Sequence, residues 1–279
     1  MLQNGRNDVT PITTIWPLTK PNSANATTDK CEIVILHGFT QNAATLLPFA
    51  QILAQLTLTS VHLVDLPGHG KNSTVKYSLE QTAYSIYETF PNAIFLGYSL
   101  GGRILFHLTK LSNKPIKALI ILGSHPGLND EITRTLRSDQ DRKTASLLEG
   151  ISNDVDFEIF LDNWISNELF QGLTPDQANL RSRTSNSPKM LAKALKELSL
   201  AIQEDLTPYI ALSKIPIMYV YGELDLKFKA VALELQSANS AFITPFAIAR
   251  AGHYPIGQYP YITAQAIASY IAKLNKEHR

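Results

Sequence analysis

Three observations predict an α/β fold, with a mostly parallel central sheet flanked by helices and a helical segment inserted between two strands. Short, continuous apolar runs recur along the chain. Helical patterns stand between several of them. The alternation then stops, and no strand pattern is found from Asn129 to about Asp205. The runs are 33–36, 61–64, 94–96, 118–122 and 217–221, each rich in β-branched or aromatic residues and each followed closely by Gly or Pro. Runs of that length with no polar alternation suit strands buried on both faces, as in a parallel sheet. The helical patterns 79–90 and 100–111 between them are the signature of βαβ units.

Taken in order, 22–29 is a polar Ser/Thr/Asn-rich stretch that reads as a loop tip. The strand and helix patterns occupy residues 33 to 123. Within the insertion, 157–170 and 190–202 carry apolar residues at helical spacing, and Pro175 and Pro188 suit the first turns of helices beginning near Thr174 and Ser187. The sheet resumes at 217, followed by a helix at 228–236, a last strand at 242–248 and a closing helix at 262–274. The expected division is therefore a core of 1–123 and 211–279 and a helical cap of 124–210. Such a cap covers the carboxyl ends of the strands, where open α/β sheets place their sites.

Bulk properties narrow the function. The 279 residues carry a net charge of +1, which gives no electrostatic case for a nucleic acid or an anionic membrane surface. The single cysteine, Cys31, rules out a disulfide framework within the chain and argues against a thiol-based zinc site; it is read as a buried structural thiol. The first residues lack a basic region followed by an apolar stretch, and no apolar run reaches about 18 residues. A cytoplasmic protein, monomeric or a small homo-oligomer, is expected.

The chemistry is carried by Gly97-Tyr98-Ser99-Leu100-Gly101, a Gly-x-Ser-x-Gly sequence between a strand pattern and a helix pattern. That context exposes the serine hydroxyl on a sharp turn at a helix N-terminus. An alcohol needs a base to act as nucleophile or proton acceptor, and the base needs an orienting acid. Asp225 lies just past the run 217–221, and His253 lies after the last strand, so order and spacing bring both to the sheet edge that carries Ser99. Glu223 is a rival acid two residues nearer the strand. The backbone N–H groups of Phe39 and Leu100 are candidate oxyanion donors. His37, in Leu36-His37-Gly38-Phe39, reads as a residue bracing a turn.

These residues resemble a known family, the 2-succinyl-6-hydroxy-2,4-cyclohexadiene-1-carboxylate synthases of menaquinone biosynthesis, which have the α/β-hydrolase fold. The resemblance runs from about Cys31 to the C-terminus. Leu36-His37-Gly38-Phe39, Asp65-Leu66-Pro67-Gly68-His69-Gly70 and Gly97-Tyr98-Ser99-Leu100-Gly101-Gly102-Arg103 fit many α/β-hydrolases. His125-Pro126-Gly127-Leu128, Arg137-Ser138-Asp139, Leu180-Arg181-Ser182, Ser199-Leu200-Ala201-Ile202-Gln203-Glu204-Asp205-Leu206 and Gly222-Glu223-Leu224-Asp225-Leu226-Lys227-Phe228 are more selective. The resemblance implies a lyase: the triad removes a ring proton from a cyclohexene polycarboxylate and pyruvate is expelled, with no metal and no cofactor. It casts Ser99 as proton acceptor with His253 behind it.

A polyanionic substrate calls for fixed cations, and arginine binds carboxylates in bidentate fashion. Arg103 lies one helical turn past Ser99. By resemblance Arg181 and Arg134 come from the insertion, and Trp164 corresponds to a family tryptophan, read either as packing on the substrate ring or as a core residue; Tyr98, beside the nucleophile, is placed to offer its hydroxyl to a carboxylate. This chain departs from the family at Thr40-Gln41 and at Ile165. Other readings of the same triad are a serine esterase, a carbon–carbon bond hydrolase, or a non-catalytic ligand receptor. A serine at 99, where a carboxylate would be needed, excludes a dehalogenase or epoxide hydrolase.

Overall fold

The structure, a computed structural model, describes residues 12–15, 32–111 and 114–277. The readings made at 22–29, at Cys31 and on the N-terminal stretch lie outside these residues. Among the described residues, seven strands form one sheet in the order β1-β3-β2-β4-β5-β6-β7. They are β1 (Ile12–Ile15), β2 (Ile33–Leu36), β3 (Val61–Val64), β4 (Ile94–Tyr98), β5 (Ala118–Leu122), β6 (Ile217–Gly222) and β7 (Ile243–Ile248). All neighbours are parallel except β1, which pairs antiparallel with β3, Ile12 opposite Val64. The sequence had not suggested β1; a four-residue, half-buried edge strand has no continuous apolar run to show.

Helices cover both faces because successive strand residues point to opposite sides. Ile33 and Ile35 pack with α1 (Ala43–Thr57) and α11 (Pro260–Glu277) through Leu46, Phe49, Leu53, Ile267 and Ile271. Val34 and Leu36 pack on the other face with α2 (Leu79–Thr89), α3 (Leu100–Phe106) and α9 (Leu226–Ala238) through Ala83, Ile104, Val231 and Leu235. Helix α1 was not read from sequence, and Pro48 inside it interrupts the pattern that such a reading looks for. It is held at its start by a capping box between Asn42 and Thr45 and by Asp65, whose carboxylate accepts from the Ala43 N–H at 2.8 Å.

Between β5 and β6 stand α4 (Glu131–Gly150), α5 (Asp154–Ile165), α6 (Leu180–Arg183), α7 (Pro188–Glu197) and α8 (Thr207–Leu212). Helices α4, α5 and α7 build an apolar cluster of their own from Ala145, Leu148, Phe157, Leu161, Leu191 and Leu195. Helix α8, in contrast, sends Ile210 into the cluster under the sheet. Pro188 sits in the first turn of α7 behind the N-cap Ser187, as expected. Pro175 does not start a helix. Thr174 and Gln177 exchange capping hydrogen bonds, but Asn179 takes a left-handed conformation at φ 47°, and the helix α6 begins only at Leu180.

Candidate active site

Strand β4 ends at Tyr98 and α3 begins at Leu100, so Ser99 alone makes the turn. Its φ of 49° and ψ of −107° are unusual for a residue with a side chain and cost about 1–3 kcal/mol. The surroundings hold it there. The Ser99 N–H donates to the Leu122 carbonyl at 2.9 Å, and its carbonyl accepts from the Arg103 N–H at 3.0 Å. The turn needs its glycines for space: a Cβ on Gly97 would lie 2.5 Å from the Gly101 backbone, and one on Gly101 would lie 2.3 Å from the Leu36 carbonyl oxygen.

Asp225 ends the turn after β6 and caps α9 through Oδ1, which accepts from the Phe228 N–H at 3.3 Å. Its other oxygen, Oδ2, lies 2.8 Å from His253 Nδ1. Backbone bonds from Glu223 to Ile248 and from Leu224 to Ala251 fasten the two turns together, which sets that distance. Glu223, the rival acid, is exposed and accepts instead from the Arg250 N–H at 2.9 Å. The His253 ring is 3 % exposed and is surrounded by Phe228, Tyr98 and Phe170, with centroids 4.6, 5.5 and 5.7 Å away. An Nδ1–H donated to Asp225 leaves Nε2 as the proton acceptor.

Ser99 and His253 line one cavity of about 410 Å³, together with Phe39 and Leu100. The size suits a small molecule. Among the described residues the Phe39 and Leu100 N–H groups have no acceptor, so both remain available at the cavity wall. His37 braces the turn beside them. Its Nδ1 donates to the Gly38 carbonyl at 2.8 Å, its Nε2 accepts from the Leu66 N–H at 3.0 Å, and burial pushes its pKa down to about 4.

The same wall carries four cations, Arg103, Arg137, Arg183 and Lys227. Arg103 donates from Nε to Gln203 Oε1 at 2.8 Å and from Nη2 to the Leu198 carbonyl, which uses part of its fork and leaves Nη1 uncommitted. Burial, with Arg137 nearby, lowers its pKa to about 9. Arg183 is almost wholly buried. It donates from Nε to the Ala178 carbonyl at 2.9 Å and from Nη1 to Thr40 Oγ1 at 2.6 Å. The departure from the family at Thr40 thus supplies an arginine partner. Arg137 Nε pairs with Asp141 at 2.9 Å, and Asp141 in turn accepts from Ser199 Oγ at 2.6 Å. Burial holds Lys227 below the usual lysine range, with Arg137 adding to the effect.

Two of the arginines chosen from sequence stand elsewhere. Arg181 is exposed and lines a separate surface depression with Glu158, Asp162 and Asp176. Arg134 donates to the Ala201 carbonyl at 3.0 Å and does not line the cavity. Their places at the cavity are taken by Arg183, on the opposite side of its short helix from Arg181, and by Arg137, one turn along α4 from Arg134. Tyr98 and Trp164 do line it, and the Tyr98 hydroxyl and Trp164 Nε1 are buried with no partner. Burial raises the Tyr98 pKa well above its ordinary value, so the hydroxyl stays a donor. Buried polar atoms left unpaired at a cavity wall are groups that a ligand can satisfy.

Comparison with known proteins agrees with this fold. A family model described as the alpha/beta hydrolase family matches residues 33–266. A 2-succinyl-6-hydroxy-2,4-cyclohexadiene-1-carboxylate synthase from Enterobacter sp. (strain 638) is 32% identical over 251 residues, covering 86% of this chain and 91% of that protein. The synthase of the same name from Citrobacter koseri is 32% identical over 213 residues, 73% and 81% of the two chains. Among solved structures, MenH from S. aureus superposes with a TM-score of 0.79 at 23% identity, covering 96% and 99% of the two chains. A thermophilic esterase from Thermogutta terrifontis superposes with a TM-score of 0.73 at 15% identity, covering 95% and 93%. By fold and by descent this chain belongs to the alpha/beta hydrolase family, in the group of the 2-succinyl-6-hydroxy-2,4-cyclohexadiene-1-carboxylate synthases.

Proposed function

We propose that the protein is a carbon–oxygen lyase. It eliminates pyruvate from 2-succinyl-5-enolpyruvyl-6-hydroxy-3-cyclohexene-1-carboxylate to give 2-succinyl-6-hydroxy-2,4-cyclohexadiene-1-carboxylate, in menaquinone or phylloquinone biosynthesis. The observation that carries the reading beyond the fold is the set of four cations facing a cavity that also holds Ser99 and His253. A polycarboxylate fits that wall. An apolar ester does not call for it.

In this reading Asp225 fixes the His253 tautomer, and His253 takes the Ser99 hydroxyl proton as Ser99 Oγ removes the substrate's ring proton. The electrons of the broken C–H bond form the second ring double bond, and the C–O bond to the enolpyruvyl group breaks. Pyruvate leaves as its enolate, which is then protonated, and no water is consumed. The Phe39 and Leu100 N–H groups face developing negative charge. Arg103, Arg137, Arg183 and Lys227 hold the carboxylates, with Tyr98 and Trp164 donating from the wall. Helices α4 to α7 act as a cap that excludes water, the insertion spanning about 124–210.

The test is pyruvate release from the enolpyruvyl cyclohexene carboxylate, run beside cleavage of a p-nitrophenyl ester. Rapid pyruvate release with rising conjugated-diene absorbance, and slow ester cleavage, is expected. Rapid ester cleavage without pyruvate would move the protein to the hydrolases.

A further inference from the structure

The proposed triad accounts for Ser99, Asp225 and His253, but not for what keeps the first and last of these in register. Both are in contact with the last residue of β5 and the two residues that follow it. Leu122 accepts from the Ser99 N–H at 2.9 Å, and Ser124 Oγ donates to the Ser99 carbonyl at 2.7 Å. Both peptide groups of Ser99 are therefore tied to residues 122–124. Gly123, between the two anchors, adopts φ 52° and lies against the His253 ring; a Cβ there would come within 2.9 Å of Cε1. Ser124 also packs against α3, since a Cβ on Gly102 would lie 2.1 Å from its Oγ. One three-residue segment thus touches the backbone of the nucleophile and the face of the base.

The next strand holds that segment through the Val220 carbonyl, which accepts from the Gly123 N–H at 3.1 Å, and through one side chain. Tyr219 lies in β6 opposite Ile121 and is fully buried. Its hydroxyl donates to the Ser124 carbonyl at 2.6 Å and accepts from the Ser124 N–H at 3.2 Å. The phenol therefore closes both peptide groups of Ser124, which have no strand partner there because β5 has ended. A phenylalanine would fill the same space and leave both groups buried and unpaired. Burial keeps the Tyr219 hydroxyl protonated by raising its pKa well above the ordinary value. Tyr219 is not among the residues that line the cavity, so it does not meet substrate.

We infer that Tyr219, acting through Ser124, is a positioning residue that sets the Ser99 carbonyl and the His253 ring in their working relation. This rests on the triad reading given above. The role predicts a loss confined to the chemical step. Tyr219 lies outside the cavity and the four cations stay in place in its variant, so substrate binding changes little.

The test compares wild type with Tyr219→Phe and Ser124→Ala, each checked for folding by circular dichroism and thermal melting. Two readouts are taken: kcat and KM for pyruvate release, and the rate at which a small fluorophosphonate labels Ser99. The expected result is a fall of about tenfold or more in both kcat and labelling rate, with KM within twofold of wild type. Labelling does not depend on the lyase substrate. Were wild type to release no pyruvate, the lyase assignment would fall while the labelling rates still decided the positioning role. Wild-type labelling rates in the folded variants, or a change confined to KM in Ser124→Ala, would overturn the inference. If Tyr219→Phe does not fold, Ser124→Ala decides alone.

Discussion

Ser99 takes a backbone conformation that a residue with a Cβ adopts only under constraint, and such strain collects where a side chain must be presented. Ser99→Ala, Asp225→Asn and His253→Ala are each expected to lower kcat for pyruvate release by about 10³-fold or more, with thermal melts close to wild type. Activity within tenfold of wild type in Ser99→Ala would remove the triad from the mechanism. The cations give a second contrast. Arg183→Ala removes a buried donor from the cavity wall and is expected to raise KM by about 10- to 100-fold. Arg181→Ala changes an exposed side chain beyond the cavity and should leave kcat and KM within twofold of wild type. Arg103→Ala should raise KM and also lower the melting temperature, because Arg103 ties α3 to Leu198 and Gln203.

Among the elements, the turn before α1 joins the insertion to the core. Asn42 Oδ1 caps α1 by accepting from the Thr45 N–H at 3.1 Å, while its Nδ2 donates to the Ser182 carbonyl at 2.8 Å and to Ser185 Oγ at 3.0 Å. Asn42→Ala should therefore cost about 1–2 kcal/mol. Differential scanning calorimetry should show this as a loss of several degrees in the melting temperature. An unchanged melt would mean that the cap and the segment 182–185 contribute nothing to stability. Because that segment contains Arg183, the same variant should also raise KM. Several elements were legible because their signals are local: β4, the turn at Ser99 and α3 follow from alternating apolar runs and a glycine pattern. The turn at 174–179 was not, because the left-handed Asn179 stops a helix that Thr174, Pro175 and Gln177 begin to form.

At the scale of the whole molecule, burial disfavours the charged form of His37, His69 and His107. Burial pushes the pKa of His37 and His107 down to about 4 and that of His69 down to about 3. The unfolded chain takes up these protons near pH 6.5, whereas the folded protein does not until far lower pH. The stabilising contribution is complete above pH 6.5 and is lost as pH falls toward 4. Each histidine adds about 1.4 kcal/mol per pH unit to the slope within that window. The melting temperature should be nearly flat above pH 7 and fall steeply from pH 6 to pH 4.5. The His107 ring nitrogens have no partner among the described residues, so His107→Phe is expected to make the fall shallower. A melting temperature constant from pH 7 to 4.5 would contradict neutral burial of the three.

The sequence by itself determined the parallel sheet and the group of relatives, and it singled out Ser99 and the chain order of an acid and a base behind it as the proposed site. All of these depend on runs and spacings that lie within a few residues of one another or follow chain order. Tertiary structure decided between Asp225 and Glu223, since only the turn packed against 248–251 brings an oxygen to His253. It also replaced Arg181 with Arg183 and Arg134 with Arg137. Two residues along a helix are more than half a turn, so Arg181 and Arg183 point to different sides, whereas Arg134 and Arg137 share a face of α4 and differ in their position along its axis. Edge strand β1 and the Tyr219–Ser124 contact were invisible for a related reason: each joins residues far apart in the chain, across strands whose register no local pattern records.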